Sequence, residues 1–106
     1  MKEITHKTPT PCFRACANRG FQITFSNGWT ISVQFGVLNY CSNKDLEKAI
    51  KNPFEQPIGN YECENAEIAI MNPNGQFVRH KGFDEDVKAF CHPDEISDII
   101  AWVASR

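Results

Sequence analysis

Cysteine and histidine are the residues in this chain best suited to chemistry, and their spacing limits what they could do. Cysteines stand at 12, 16, 41, 63 and 91, and histidines at 6, 80 and 92. Cys12 and Cys16 have the separation of half a zinc site, but a structural zinc needs a second pair. Cys41, Cys63 and Cys91 stand singly, and no two histidines lie three to five residues apart. No metal is therefore expected, and the thiols are read as free and reduced. Cys91-His92, with Asp94 close behind, supplies the residue types of a thiol nucleophile and its base. Adjacent side chains at a strand end point apart, and catalytic Cys–His pairs meet through the fold. Pro93 marks this stretch as a strand-to-helix joint instead. Phosphate-loop, zinc-protease and kinase signatures are missing. Asp84, Glu85 and Asp86 read as a solvated acidic turn. The chain is read as a non-enzyme with no catalytic residues and no cofactor.

Binding chemistry has better candidates. The stretch Gly36–Cys41 follows a strongly patterned segment and carries Asn39 and Tyr40. Loops after rigid strands often hold binding groups, although a bend carrying Leu38 and Tyr40 into the core explains the same residues. Arg79-His80-Lys81 is the best local basic set. A nucleotide would need aromatic and basic groups to converge, and Trp29, Asn39, Tyr40, Arg79 and His80 form the candidate ligand-binding set.

Charge and composition exclude several classes. The formal net charge is −2, with the 11 Lys and Arg residues scattered over 106 positions. Non-specific grip on nucleic acid comes from clustered basic residues, so nucleic acid is not an expected partner. No apolar run approaches the roughly 20 residues of a membrane-spanning helix. The first ten residues are polar and lack the apolar stretch of a signal peptide. An odd cysteine count argues against a secreted disulfide framework, and the expected location is a cytoplasm.

These residues must be positioned by an α+β domain. Residues 1–20 carry Pro9 and Pro11 without sustained periodicity and read as an N-terminal arm before a single domain, 21–106. Phe21, Ile23 and Phe25 alternate with polar residues, as do Trp29, Ile31, Val33 and Phe35 beyond Asn27-Gly28. That is the pattern of two half-buried strands. A two-residue loop would send their apolar rows to opposite faces. A three-residue loop, Ser26-Asn27-Gly28, aligns them with Gly28 in the left-handed position. Asn72-Pro73-Asn74-Gly75 predicts a second such turn, pairing Ile70 with Val78 and Met71 with Phe77.

Asn43 is positioned to cap a short middle helix with Leu46, Ala49 and Ile50 on one face, ended by Pro53. Residues 52–65 then form a long connection. Val87–Cys91 reads as a last strand. Pro93, Asp94 and Glu95 suit a helix start, and Ile96, Ile99, Ile100 and Val103 make its apolar stripe. The expected fold is an antiparallel β-meander, two hairpins plus a further strand, with the C-terminal amphipathic helix packed on it. The sheet's second face is expected to be partly bare around Met71, Phe77 and Trp29, with Trp102 adding apolar surface. Such a patch predicts a homo-oligomer, most simply a two-fold dimer.

Asn27-Gly28-Trp29-Thr30-Ile31-Ser32-Val33-Gln34-Phe35-Gly36, followed by Asn39-Tyr40-Cys41, resembles a pattern in small uncharacterised tailed-phage proteins. The run Asp94 to Val103 is similar to the same group. The resemblance covers roughly residues 20–41 and 66–105 and carries no catalytic residue across. It implies a viral accessory protein in a bacterial host cytoplasm. The expected function is occupation of a host target, as an anti-defence inhibitor of a host protein or a sponge for a small nucleotide signal. A virion or assembly component and a small Cys/His-dependent enzyme are the alternatives.

Overall fold

The computed structural model describes residues 10–17, 19–44 and 62–106. Five antiparallel strands follow one another in a single sheet: β1 (Cys12–Ala15), β2 (Gly20–Thr24), β3 (Thr30–Gln34), β4 (Ala66–Met71) and β5 (Val87–Cys91). The helix α1 (Pro93–Ala104) closes the chain. This is the α+β meander expected from the pattern of the sequence.

The β2–β3 turn has the three-residue form. Phe25 N–H donates to the Trp29 carbonyl at 2.9 Å, and Gly28 N–H to the Phe25 carbonyl at 2.9 Å. Gly28 has φ 85°, a value that L side chains resist. Ile23 then faces Ile31 and Phe21 faces Val33. With Ile68 and Ile70 opposite Val33 and Ile31, these residues form one apolar face. Gly20 opens β2 because the backbones are too close for a side chain. A Cβ there would strike the Val33 carbonyl and lie 2.7 Å from the Gln34 Cα.

The segment read as an arm contains a strand. Cys12–Ala15 pairs with β2, Phe13 facing Ile23 and Ala15 facing Phe21. Its residues are exposed throughout, so no apolar alternation betrayed it. Phe13 lies in register with the apolar face yet stays 82% exposed.

The second hairpin is shorter than its turn suggested. Gly75 has φ 77°, Met71 bridges Phe77, and Val78 N–H donates to the Ile70 carbonyl at 2.9 Å. The chain then leaves the ladder, and β5 takes the place beside β4. Phe83, buried in the core, anchors the excursion between them. The expected middle helix over Leu46, Ala49 and Ile50 lies outside the described residues, as does most of the 52–65 connection.

Helix α1 starts as its sequence requires. Pro93 occupies the first turn, and Glu95 Oε1 accepts the His92 N–H at 3.1 Å. Ile99 and Val103 are buried against the sheet, with Ile96 and Ile100 half-buried beside them. Its last turn holds no basic side chain. Asn27 instead donates its Nδ2 hydrogens towards the carbonyls of Val103 (3.0 Å), Ala104 (3.3 Å) and Arg106 (3.2 Å). The β2–β3 turn thus caps the helix end, where carbonyls lack intrahelical partners.

Trp29 and Trp102 are not on a bare face. They meet edge-to-face at 5.9 Å, and the Arg106 guanidinium lies 4.3 Å from the Trp102 ring centre. The opposite sheet face carries Gln22, Thr24, Thr30, Ser32, Gln34 and Glu67 in register. It is predominantly polar, with Met71 and Phe77 at one end. The apolar surface on which a dimer was expected is therefore smaller than the sequence implied.

Candidate functional site

The five candidate binding residues fall into three places. Trp29 and His80 both belong to the cluster around Trp102, with the His80 and Trp102 ring centres 4.5 Å apart. The His80 and Trp102 ring planes are inclined at 49°, with Phe83 packed edge-on to His80 at 6.3 Å. Arg79 leaves that cluster for the excursion before β5. Its Nε pairs with Asp86 at 3.3 Å, and its Nη1 donates to the Asp84 carbonyl at 3.0 Å.

Asn39 builds the loop after β3. It is buried, its Oδ1 accepts the Gly36 N–H at 2.9 Å, and its Nδ2 donates to Gln34 Oε1 at 3.1 Å. A longer contact of 3.5 Å reaches Glu67 Oε1. An amide committed in this way shapes a turn and offers little to a ligand.

Tyr40 is the aromatic candidate that faces solvent. Its N–H donates to Glu67 Oε2 at 2.9 Å, and its carbonyl accepts the Phe90 N–H at 3.0 Å. Lys44 Nζ lies 4.8 Å from the ring centre. The loop is thereby tied to β4 and β5 while the phenol ring stays half-exposed.

Phe90 was not legible as a site residue. Ala66 pairs with Cys91 and Ile68 with Lys88, so Ala89 and Phe90 together stand opposite Glu67 alone. This bulge gives Phe90 a φ of 51°, an outlier for a bulky side chain. Its ring is half-exposed. Tyr40 lines a concavity of about 470 Å³ with Gly82, Asp84, Glu85, Val87, Lys88 and Ala89, next to Phe90 in the chain. Lys88 is engaged by Glu95 at 3.2 Å, which leaves the carboxylates of Asp84 and Glu85 to set the local sign.

No family model, curated protein or solved structure matches the chain. Its chemistry rests on its own geometry.

Cys91 and His92 do not form a dyad. Cys91 is fully buried, and its Sγ contacts the His92 backbone carbonyl at 3.8 Å. His92 is exposed. Burial, aided by the nearby Glu95 carboxylate, pushes the Cys91 thiol above its usual pKa, the wrong direction for a thiolate nucleophile. Among the described residues, no three His, Cys, Asp or Glu side chains are grouped to hold a metal ion. No helix among them is long and apolar enough to cross a membrane.

Proposed function

We propose that this chain is a non-enzymatic binding module that occupies a host protein through the surface around Tyr40 and Phe90. The carrying observation is Phe90 itself: a bulky aromatic held half-exposed at φ 51° on a bulged edge strand. A left-handed backbone costs a non-glycine residue about 1–2 kcal/mol. Strain of this kind concentrates at sites where a side chain must be presented. Tyr40, half-exposed and bonded through its carbonyl to Phe90, provides a second aromatic anchor beside the concavity. Aromatic anchors carry much of the binding energy of protein interfaces.

Asp84 and Glu85 make the concavity acidic, which suits a basic side chain on the partner and opposes a phosphate. The nucleotide alternative needed Trp29, Tyr40, Arg79 and His80 together, but only Trp29 and His80 share a place, packed on Trp102, while Arg79 is paired with Asp86 and Tyr40 stands in the loop after β3. The resemblance to tailed-phage accessory proteins supports a host target in a bacterial cytoplasm.

Co-purification of the wild type with Tyr40→Ser and Asn74→Ser from producing bacteria tests this reading. One specific partner should be retained by the wild type and by the hairpin-tip variant, and lost with Tyr40→Ser. Equal retention by all three would remove the Tyr40 surface from the account. Self-association has one favouring observation, the four-residue edge strand β1 with its exposed Phe13. Pairing of two copies along β1 would show as a concentration-dependent mass in sedimentation, abolished by Phe13→Asp.

A further inference from the structure

Cys41 and Cys63 lie on opposite sides of a long excursion between β3 and β4, and the structure brings their strands of chain together. Ser42 N–H donates to Asn65 Oδ1 at 2.7 Å, and Asn65 Nδ2 donates to Ser42 Oγ at 2.8 Å. Asn43 Nδ2 donates to the Glu62 carbonyl at 3.1 Å, and Tyr40 N–H to Glu67 Oε2 at 2.9 Å. These bonds bracket the two cysteines and hold their segments side by side. Both are free thiols. Their access differs sharply. Cys41 is only 2% exposed, whereas Cys63 is half-buried and lines two clefts, one with Phe35 and Pro93 and the other with Ser42 and Glu64.

We propose that Cys41 and Cys63 are a modification site, a thiol pair that forms an intramolecular disulfide by exchange with a low-molecular-weight disulfide. Cys63, the accessible partner, attacks one sulfur of the small disulfide as its thiolate. A mixed disulfide forms on Cys63, and one small thiolate leaves. Cys41 then loses its proton and attacks the Cys63 sulfur, and the second small thiolate leaves. The two protein thiols are oxidised by two electrons, the small disulfide is reduced by two, and the protein's two protons neutralise the two leaving thiolates. Burial is the main reason that the Cys41 pKa is pushed up to about 11, with the neighbouring Cys63 and Glu67 adding to it. The resolving step is therefore slow at neutral pH and accelerates with the Cys41 thiolate fraction.

Reduced full-length protein incubated with oxidised glutathione, quenched by alkylation and mapped by mass spectrometry tests the proposal. The expected product is a monomer with a Cys41–Cys63 linkage. Its formation from the Cys63–glutathione adduct should accelerate about tenfold per pH unit from about pH 7 to 9. Cys41→Ala should accumulate glutathione on Cys63, and Cys63→Ser should leave Cys41 as a thiol. The wild-type map alone decides if either variant fails to fold. A Cys63–glutathione adduct that never resolves onto Cys41, or linkage of Cys63 to another cysteine or another chain, would overturn it.

Discussion

Replacing Phe90 separates backbone strain from side-chain packing. Phe90→Ala removes a ring that is half-exposed, and full burial of such a side chain contributes roughly 1.5–3 kcal/mol, so about 1 kcal/mol is lost. Ala at φ 51° keeps the left-handed penalty of about 1–2 kcal/mol. Phe90→Gly loses the same ring but escapes that penalty. The greater freedom of glycine in the unfolded chain takes back about 0.5–1 kcal/mol. Phe90→Gly should therefore be more stable than Phe90→Ala by about 0.5–1 kcal/mol, or roughly 3–6 °C in Tm for a domain of this size. Alanine normally exceeds glycine within a strand, so the order of the two variants is diagnostic. Thermal unfolding of both, with urea titrations to check that m is unchanged, reads it directly. Phe90→Ala equal to or more stable than Phe90→Gly would refute the strained-bulge reasoning.

Asn27→Ala should lower stability by about 1–2 kcal/mol in urea unfolding, because the Val103 and Ala104 carbonyls at the end of α1 and the Arg106 carbonyl beyond it lose the Asn27 amide. Asn27→Asp should not rescue it, since a carboxylate supplies no donor and faces the negative end of the helix dipole. Acid unfolding provides a further check. The His92 backbone N–H, and then Lys88, hold the Glu95 carboxyl below its usual pKa. Its stabilising contribution is present above the unfolded value of 4.5 and lost as pH falls through the lower folded value. Glu95→Gln should therefore flatten the acid limb of the stability curve and leave little difference from the wild type at the lowest pH.

Apolar alternation made β2 and β3 readable, and parity alone selected the three-residue turn with Gly28 at positive φ. The helix was equally legible, since Pro93 and the Ile96–Val103 stripe have a local physical meaning. Strand β1 was hidden because an exposed edge strand needs no apolar face. The 77–78 pairing was right in register but short, because the burial of Phe83 diverts the chain and no local signal announces that. Site residues were harder still. Asn39 and Tyr40 are neighbours with opposite fates, one saturated inside a turn and the other facing solvent, and only the Glu67 and Gln34 side chains decide which. Phe90 owes its position to a register shift against β4, which is a property of two strands and not of its own segment. Trp29 and His80 looked like ligand platforms because aromatic and imidazole rings suit both roles. Packing on Trp102 gives them a structural one.

Site-specific photo-crosslinking tests the binding role most directly. A photoreactive phenylalanine analogue placed at Tyr40 or at Phe90 keeps an aromatic side chain on the proposed surface, and the same analogue at Asn74 probes the exposed tip of the second hairpin. Irradiation in the producing bacterium should yield one discrete covalent adduct with a host protein from positions 40 and 90 and none from position 74. No adduct from either aromatic position, or the same adducts from all three, would contradict a binding module that works through Tyr40 and Phe90.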